Sequence, residues 1–370
     1  MTIAKNLNHM IDKERLNIDW IEHVSKANRN ADKILVEKAI RAFLLLEGLA
    51  LSDIPFVFKG GTSLMLMTNS NRRLSVDIDI VIPKTIDKFE KGLSVIADKQ
   101  GFLRMETQER TATTTVPKHH YKFFYTPIHK TSQDEEYILL DVLFEQSPYC
   151  AVSKKEIVSK FIPAIGPHMS VDVPCAEDLL GDKLTAFAPN TTGIPYFKNG
   201  KSMSMEIIKQ LYDVGCLFDL SNDMDIVRKT FERIAQKEIG YRSGTMAVTD
   251  VLEDILQTSL CISTRSTMGK GNFEELQNGI KRVKGFIFSE SYHIENAIVS
   301  ASKAAYLSTL VATNATKIEK YANPLQVKDW TISDLAYNTL NKLKKTNTEA
   351  FFYWYNAIGL RKNKKRTTTK

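Results

Sequence analysis

The sequence contains few cysteines and no long uninterrupted apolar run. Only four cysteines occur in 370 residues, and none of them belongs to a CxxC motif: Cys150, Cys175, Cys216 and Cys261. This spacing argues against a disulfide scaffold and against a zinc site. Even the apolar run 42–50 is interrupted by Glu47, well short of the ~18 residues of a membrane span. The polar N-terminal stretch lacks the features of a secretory signal, so we expect a cytoplasmic protein without a membrane segment.

What the sequence does contain is the composition of an ordinary globular protein, with 43% apolar and 25% charged residues. Its length predicts about two domains of ~150 residues. The formal net charge of +7 comes almost entirely from the last ten residues, RKNKKRTTTK, which include no acid. Such a basic end is typical of a solvated terminus, and phosphate contacts with a polyanion such as RNA are the alternative.

The first part of the chain alternates between strand and helix patterns. Predicted strands lie at 55–59, 75–83, 118–126 and 136–145. The last two are expected to form an antiparallel hairpin. Predicted helices in this part lie at 32–51, 62–68 and 85–99.

The second part of the chain is mostly helical in pattern. Its predicted helices lie at 176–188, 204–219, 223–237, 245–260, 273–288, 292–313, 332–345 and 348–358. The stretch 188–202, rich in Gly, Pro, Asn and Thr, is expected to be a loop. We therefore predict three regions: an α/β domain with an N-terminal helical segment at 1–167, a helical domain at 168–360 and a basic tail at 361–370.

Asp77 and Asp79 are the strongest candidates for chemistry. They are two apart on a predicted strand, so both side chains should point to one face while the intervening isoleucines enter the core. Two carboxylates on one face suit a hard cation such as Mg²⁺, which accepts one or two carboxylates together with substrate phosphates. For the pair alone, a solvated strand face is a better interpretation than a metal site. The neighbouring residues described next make the metal site the better interpretation.

Three neighbouring features favour a nucleotide site. Gly60-Gly61-Thr62-Ser63 lies between a strand and a helix, where glycines let a phosphate approach the backbone; a plain tight turn is the alternative. Asp141 lies inside an apolar strand and needs a partner there, whether a metal, a substrate hydroxyl or a structural hydrogen bond. Ser75 shares the strand face with both aspartates, or simply begins the strand.

The helical region adds three candidates. Lys183 lies on the apolar stripe of its helix, where it either snorkels or directs a charge into a cleft. Lys209 and Asp213 stand at i,i+4, and this spacing is most simply a surface ion pair.

His119 and His120 are adjacent on the predicted strand 118–126 and face opposite sides, so we expect one packed and one exposed histidine rather than a metal pair.

The ordered set of motifs resembles the AbiEii/AbiGii-type nucleotidyltransferase toxins, which are related to polymerase-β-like nucleotidyltransferases. The matching segments span about residues 50–220 and read KGGTSLML, NRRLSVDIDIVIP, LLDVLFE, EDLLGDKLTAF and KQLYDVGCLFD. The resemblance implies an α/β (α+β) minimal nucleotidyltransferase core with a mixed sheet, followed by a mostly helical C-terminal domain. It also implies a toxin of an abortive-infection toxin–antitoxin system, with a cognate antitoxin as a possible partner.

The resemblance also implies roles for the candidate residues. Asp77, Asp79 and Asp141 would hold two Mg²⁺ ions, with Mn²⁺ as a substitute. Binding of the NTP substrate would fall to Gly60, Gly61, Thr62, Ser63, Ser75, Lys183 and Lys209. Lys183 and Asp213 match the downstream catalytic motif residues. The acceptor would be RNA, at the 3′ end of tRNA.

The sequence departs from the family pattern where Lys209 is followed by Gln210 rather than an acid, and no arginine stands just before Lys209. These departures bear on the acceptor contacts more than on the metal site. Two other functions stay open. One is the same transfer to a protein or small-molecule hydroxyl, and the other is a non-catalytic protein that binds nucleic acid or a partner through a decayed site.

Overall fold

A computed structural model describes residues 10–67, 73–83, 86–108, 118–129, 131–242 and 245–368, without the side chains of 365–368. The chain divides into two compact units. The first takes in the residues up to Cys175 together with Gly285–Ser291, and the second takes in Ala176–Lys284 and the residues from Tyr292 onward. The return of a late segment to the first unit leaves no mark in the hydrophobic periodicity, and the sequence did not predict it.

A seven-stranded mixed sheet forms the centre of the first unit. Its strands are β1 (Val57–Lys59), β2 (Ile78–Ile82), β3 (Arg104–Gln108), β4 (Lys118–Tyr125), β5 (Glu136–Phe144), β6 (Val152–Glu156) and β7 (Ser170–Pro174). Their order is β3-β4-β5-β2-β1-β7-β6. β2 is parallel to β5 and β1 is parallel to β7, whereas the other neighbours are antiparallel. The predicted mixed α/β core and the β4–β5 hairpin are therefore confirmed.

Four helices pack with this sheet: α1 (Ile18–Ala27), α2 (Lys33–Ala50), α3 (Gly60–Met67) and α4 (Phe89–Gln100). α2 begins at an Asp32 cap, whose carboxylate accepts a hydrogen bond from the Leu35 N–H at 2.9 Å. Its apolar residues extend around most of the helix, which is the pattern of a buried helix. The core beneath the sheet contains Ile78, Ile80 and the inward residues of β5.

The second unit is helical. Its helices are α5 (Ala176–Ala186), α6 (Ser204–Leu220), α7 (Met224–Tyr241), α8 (Val248–Ser263), α9 (Phe273–Val283), α10 (Ile294–Thr313), α11 (Leu343–Thr346) and α12 (Thr348–Thr368). The predicted loop 188–202 contains a small hairpin, β8 (Phe197–Lys198) and β9 (Lys201–Ser202). α10 is buried around most of its circumference. The predicted helical C-terminal region is therefore confirmed.

Several element boundaries differ from the sequence prediction. The predicted strand 75–83 is shorter, at Ile78–Ile82, and of the predicted helix 332–345 only the end forms an α-helix, at Leu343–Thr346. The predicted helix 273–288 ends at Val283, because the following segment leaves the helix and joins the first unit. Most of the predicted tail 361–370 is helical, since α12 runs on to Thr368. Among the described residues, none of the helices combines the length and the apolar character needed to cross a bilayer.

Candidate active site

The two central strands of the sheet carry two of the predicted acidic residues. β2 and β5 run parallel with Asp79 directly opposite Asp141. Directly paired residues on neighbouring strands point to the same face, and such strands lie about 4.8 Å apart. The flanking Ile78 and Ile80 are buried on the other face. The fold thus brings together two carboxylates that are far apart in the sequence.

Asp77 lies immediately before β2 and is exposed. Its main-chain carbonyl accepts a hydrogen bond from the Thr62 hydroxyl at 2.5 Å. This bond ties the segment that precedes β2 to the first turn of α3. Asp77 is therefore fixed through its backbone, while its carboxylate stands at the accessible end of the strand.

The glycine turn lies against this acidic edge. Gly60 adopts a φ of +80°, and a Cβ added there would overlap the carboxylate of Asp79. A Cβ added at Gly61 would lie 2.6 Å from both the Arg73 Nη2 and the Ser75 Oγ. Only glycine combines the left-handed conformation with so close an approach. The turn thus lies against Asp79 at Gly60 and against Ser75 and Arg73 at Gly61.

Thr62 and Ser63 have a different position from the one that their sequence context suggested. Both side chains are buried. Ser63 donates its hydroxyl hydrogen to the Gly60 carbonyl at 2.9 Å, and Thr62 donates to Asp77 as described above. The first N–H groups of any helix have no carbonyl partner within the helix. A phosphate at this turn would therefore meet main-chain N–H groups rather than these two hydroxyls.

Asp141 has two cationic or polar partners on β4. His120 lies directly opposite it in the sheet register, and the His120 Nδ1 contacts the Asp141 carboxylate. The Lys118 Nζ lies 2.5 Å from the Asp141 Oδ2. Burial alone would raise the pKa of Asp141, but the contacts with His120 and Lys118 outweigh it and hold that pKa below its ordinary value. Asp141 is thus ionised at neutral pH.

The sequence did not reveal the role of His120. We expected one exposed and one packed histidine. His119 is exposed and His120 is partly buried, which is close to that expectation. What the sequence could not supply is the register that places His120 opposite Asp141. Lys59 on β1 lies opposite Asp79 in the same way. A row of polar side chains therefore crosses four adjacent strands.

Carboxylate oxygens are the ligands that Mg²⁺ and Mn²⁺ prefer. Asp79 and Asp141 supply them from one face. The Lys118 ammonium now neutralises Asp141, and a metal bound there would take over that role. These features fit a divalent cation. Within the described ranges, no three His, Cys, Asp or Glu side chains are gathered as a ready-made metal cage. The three-aspartate metal set thus stays a prediction.

The other predicted residues belong to the second unit. The Lys183 Nζ on α5 lies 3.0 Å from the Asp213 Oδ2 on α6, and both side chains are buried. The surface location expected for the Lys209–Asp213 pair is wrong, because Asp213 is 1% exposed. Asp213 also pairs with Lys183, which comes from another helix. Lys183 also donates a hydrogen bond to the Gln210 Oε1 at 3.0 Å. Gln210 stands where the family pattern has an acid. Here its side-chain amide oxygen accepts the hydrogen bond from Lys183 instead.

Comparison with known proteins gives a family and distant structural neighbours. The family model described as "Nucleotidyl transferase AbiEii toxin, Type IV TA system" matches residues 44–278. The chain is similar to MenT4, a nucleotidyltransferase toxin from Mycobacterium tuberculosis H37Rv, with 13% identity over 90% of this chain and 98% of that chain and a TM-score of 0.46. It is also similar to JHP933 from Helicobacter pylori, with 15% identity over 75% and 90% of the two chains and a TM-score of 0.38. A comparison with curated proteins finds no match.

Proposed function

The chain belongs to the AbiEii family of nucleotidyltransferase toxins of type IV toxin–antitoxin systems, and on that premise we propose a specific reaction. In this reaction the protein transfers a nucleoside monophosphate from an NTP to a hydroxyl group of RNA, at the 3′ end of tRNA. The observation that carries this proposal is the register of Asp79 opposite Asp141 beside the Gly60-Gly61 turn. This arrangement supports the proposal, because it puts two carboxylates that could hold a cation beside a glycine turn that could hold phosphates.

Asp77, Asp79 and Asp141 are the residues that would hold Mg²⁺. When bound, divalent ions stabilise the charge on the attacking and leaving oxygens of a phosphoryl group. The lowered pKa of Asp141 suits a carboxylate that acts as a ligand, because a strongly acidic group is a weak general base at neutral pH. His120 fixes the orientation of that carboxylate through the Nδ1 contact.

The chain's own groups position the nucleotide. The N–H groups at the start of α3 face the phosphates, favoured by the positive end of the helix dipole. Ser75 places its hydroxyl over Gly61, where it donates a hydrogen bond to a phosphate oxygen. The roles of Lys183, Lys209 and Asp213 in neutralising the leaving pyrophosphate and contacting the acceptor stay predictions from the family pattern.

The charge of the chain supports an RNA acceptor. The last turns of α12 carry Arg361, Lys362, Lys364, Lys365 and Arg366 on one continuous helix. Lysine and arginine clusters bind the phosphate backbone of nucleic acids without reading its sequence. Ordering such a cluster on a helix reduces the conformational entropy that the chain loses when RNA binds.

Membership of a toxin–antitoxin family implies a cognate antitoxin. We propose that modification of tRNA ends stops translation and arrests growth, as in abortive infection, until the antitoxin counteracts it. Growth arrest on expression, relieved by the cognate antitoxin, is the expected cellular result.

The test uses the full-length protein with each of the four radiolabelled NTPs, purified tRNA and Mg²⁺. The variant Asp79→Asn should lower label transfer by at least about 10²-fold, the scale seen when one electrostatic group of an active site is removed. Asp53→Asn is the matched control, because Asp53 is an exposed acid in the same unit. Thermal unfolding of both variants shows that each is folded, and sequencing of the RNA ends identifies the added nucleotide.

Three results would contradict the proposal at different points. Label in a protein or small-molecule fraction would replace RNA with another acceptor. Wild-type transfer by folded Asp79→Asn would remove the metal assignment. Calorimetry that detects no Mg²⁺-dependent NTP binding would support a non-catalytic protein instead.

A further inference from the structure

Arg73 has no role in the sequence prediction, although its position at the nucleotide turn is unusual. The residue is 7% exposed, and guanidinium groups are rarely buried so deeply unless they meet a partner. Its Nη1 donates a hydrogen bond to the Leu74 carbonyl at 3.0 Å. Its Nη2 occupies the space that a Cβ on Gly61 would need, 2.6 Å from the ideal position.

The backbone of this arginine is fixed from a distant part of the chain. Arg73 forms an isolated antiparallel bridge with Ile287, and the Leu74 N–H donates to the Phe286 carbonyl at 2.8 Å. Phe288 of the same segment is buried and packs edge-to-face on Phe161 at 5.8 Å. This support fixes the direction of the Arg73 side chain.

The two glycines of the turn have different neighbours. Gly60 faces the carboxylate of Asp79, and Gly61 faces the guanidinium of Arg73 and the hydroxyl of Ser75. The Gly61 contacts lie at the first turn of α3, an eight-residue helix. The N-terminal end of the helix dipole and the guanidinium are both positive, so an anion bound between them is stabilised electrostatically by both.

We propose that Arg73 binds the triphosphate of the NTP at this turn, together with Ser75. This inference rests on the proposed function and deepens it. The guanidinium offers paired N–H donors that match two oxygens of a phosphate group. Ser75 and the main-chain N–H groups of α3 complete the donor set. Arg73 thus contributes substrate affinity that does not depend on the divalent cation.

Binding of inorganic tripolyphosphate in EDTA tests this inference, because chelation removes the cation through which the carboxylates would hold the phosphates. Calorimetry compares the full-length wild type with Arg73→Gln and Arg73→Lys. Arg73→Gln should weaken tripolyphosphate binding about 10- to 100-fold, the scale of a lost hydrogen bond to a charged group. Arg73→Lys keeps the charge but not the fork, so its affinity should fall between the two.

Arg15→Gln is the matched control, because it removes the same charge from an arginine whose side chain is 69% exposed in the same unit. Its tripolyphosphate affinity should equal that of the wild type. In transfer assays with Mg²⁺, Arg73→Gln should raise the KM for NTP by a similar factor. A purely structural arginine would lower the unfolding temperature and leave the affinity of the folded protein unchanged.

The outcomes separate this inference from the proposed function. Equal tripolyphosphate affinity in wild type and folded Arg73→Gln, or no wild-type binding in EDTA, overturns the role of Arg73 even when label transfer is intact. Absence of label transfer by the wild type overturns the proposed function. If Arg73→Gln does not fold, Arg73→Lys decides, and wild-type affinity in that variant overturns the inference.

Discussion

Gly60 shows how much of the site depends on a single residue. Its φ of +80° and its contact with the Asp79 carboxylate are two separate requirements. Gly101 meets only the first, with a φ of +78° and no heavy atom within 4 Å of an added Cβ. A comparison of alanine variants at Gly60 and Gly101 therefore distinguishes the effect of backbone strain from the effect of the collision with Asp79.

We expect Gly60→Ala to destabilise the fold and to abolish nucleotide transfer. The left-handed conformation alone costs an alanine about 1–2 kcal/mol, and the collision displaces Asp79 as well. Gly101→Ala should lose only that strain and retain full transfer. Urea unfolding and the labelled-NTP assay measure the two effects. Equal loss of activity in both variants would contradict a specific link between Gly60 and Asp79.

At the residue scale, sequence reasoning could align the acids but not their partners. The glycine turn and the strand position of Asp79 follow from local patterns. The predicted strand was too long at its start, because β2 begins at Ile78 and Asp77 precedes it. His120 and Lys118 depend on the register of β4 against β5, which no short-range pattern fixes. Arg73 owes its direction to a segment more than two hundred residues later.

At the scale of elements, α12 is attached to the rest of the helical unit by charges as well as by aromatic packing. Lys303 on α10 lies 2.8 Å from Asp219 on α6 and 3.0 Å from Glu349 on α12. Burial lowers the pKa of Lys303, but the two carboxylates outweigh it and the net pKa lies above the ordinary value. One buried ammonium thus joins three helices.

We expect Lys303→Met to lower the free energy of unfolding by roughly 1.5–3 kcal/mol, the scale of a hydrogen bond to a charged group. Lys317→Met is the control, since the Lys317–Glu319 pair lies at the surface and such pairs contribute at most about 1 kcal/mol. Because the pKa of Lys303 is raised on folding, its contribution is complete at neutral pH. It declines only as the pH rises above about 10.4. Denaturant unfolding at pH 7 and pH 11 measures this difference, and an unchanged difference between the two pH values would contradict it.

The elements themselves were largely predictable. Strong strands and helices have local periodicity, and the sequence located β2, β4, β5 and most of the helical unit. It missed β3, β6 and β7. β7 is a short interior strand, whereas β3 and β6 are edge strands whose residues are mostly exposed and polar. Such strands form because a neighbour offers hydrogen bonds, and their own patterns carry little signal.

At the scale of the whole molecule, the uneven charge distribution makes a prediction about RNA binding. Lys362 and Lys364 are exposed near the end of α12. Replacing both with glutamine should weaken tRNA binding and reduce the slope of log affinity against log salt by about 1 for each lost phosphate contact. Lys91→Gln with Lys317→Gln removes the same charge elsewhere and should leave the slope unchanged. Filter binding over a range of salt concentrations provides the measurement, and equal slopes for the two double variants would locate the RNA contacts away from α12.

The contribution of Gly285–Ser291 to the first unit has a consequence for biosynthesis. A nascent polypeptide that has reached Cys175 already contains every strand of the large sheet and all three aspartates. It does not yet contain the Phe286 carbonyl that accepts the Leu74 N–H beside the nucleotide turn. Translation must continue through α9 before that bond can form. The supporting bond beside the glycine turn therefore forms only late in synthesis, after the strands of the sheet have left the ribosome.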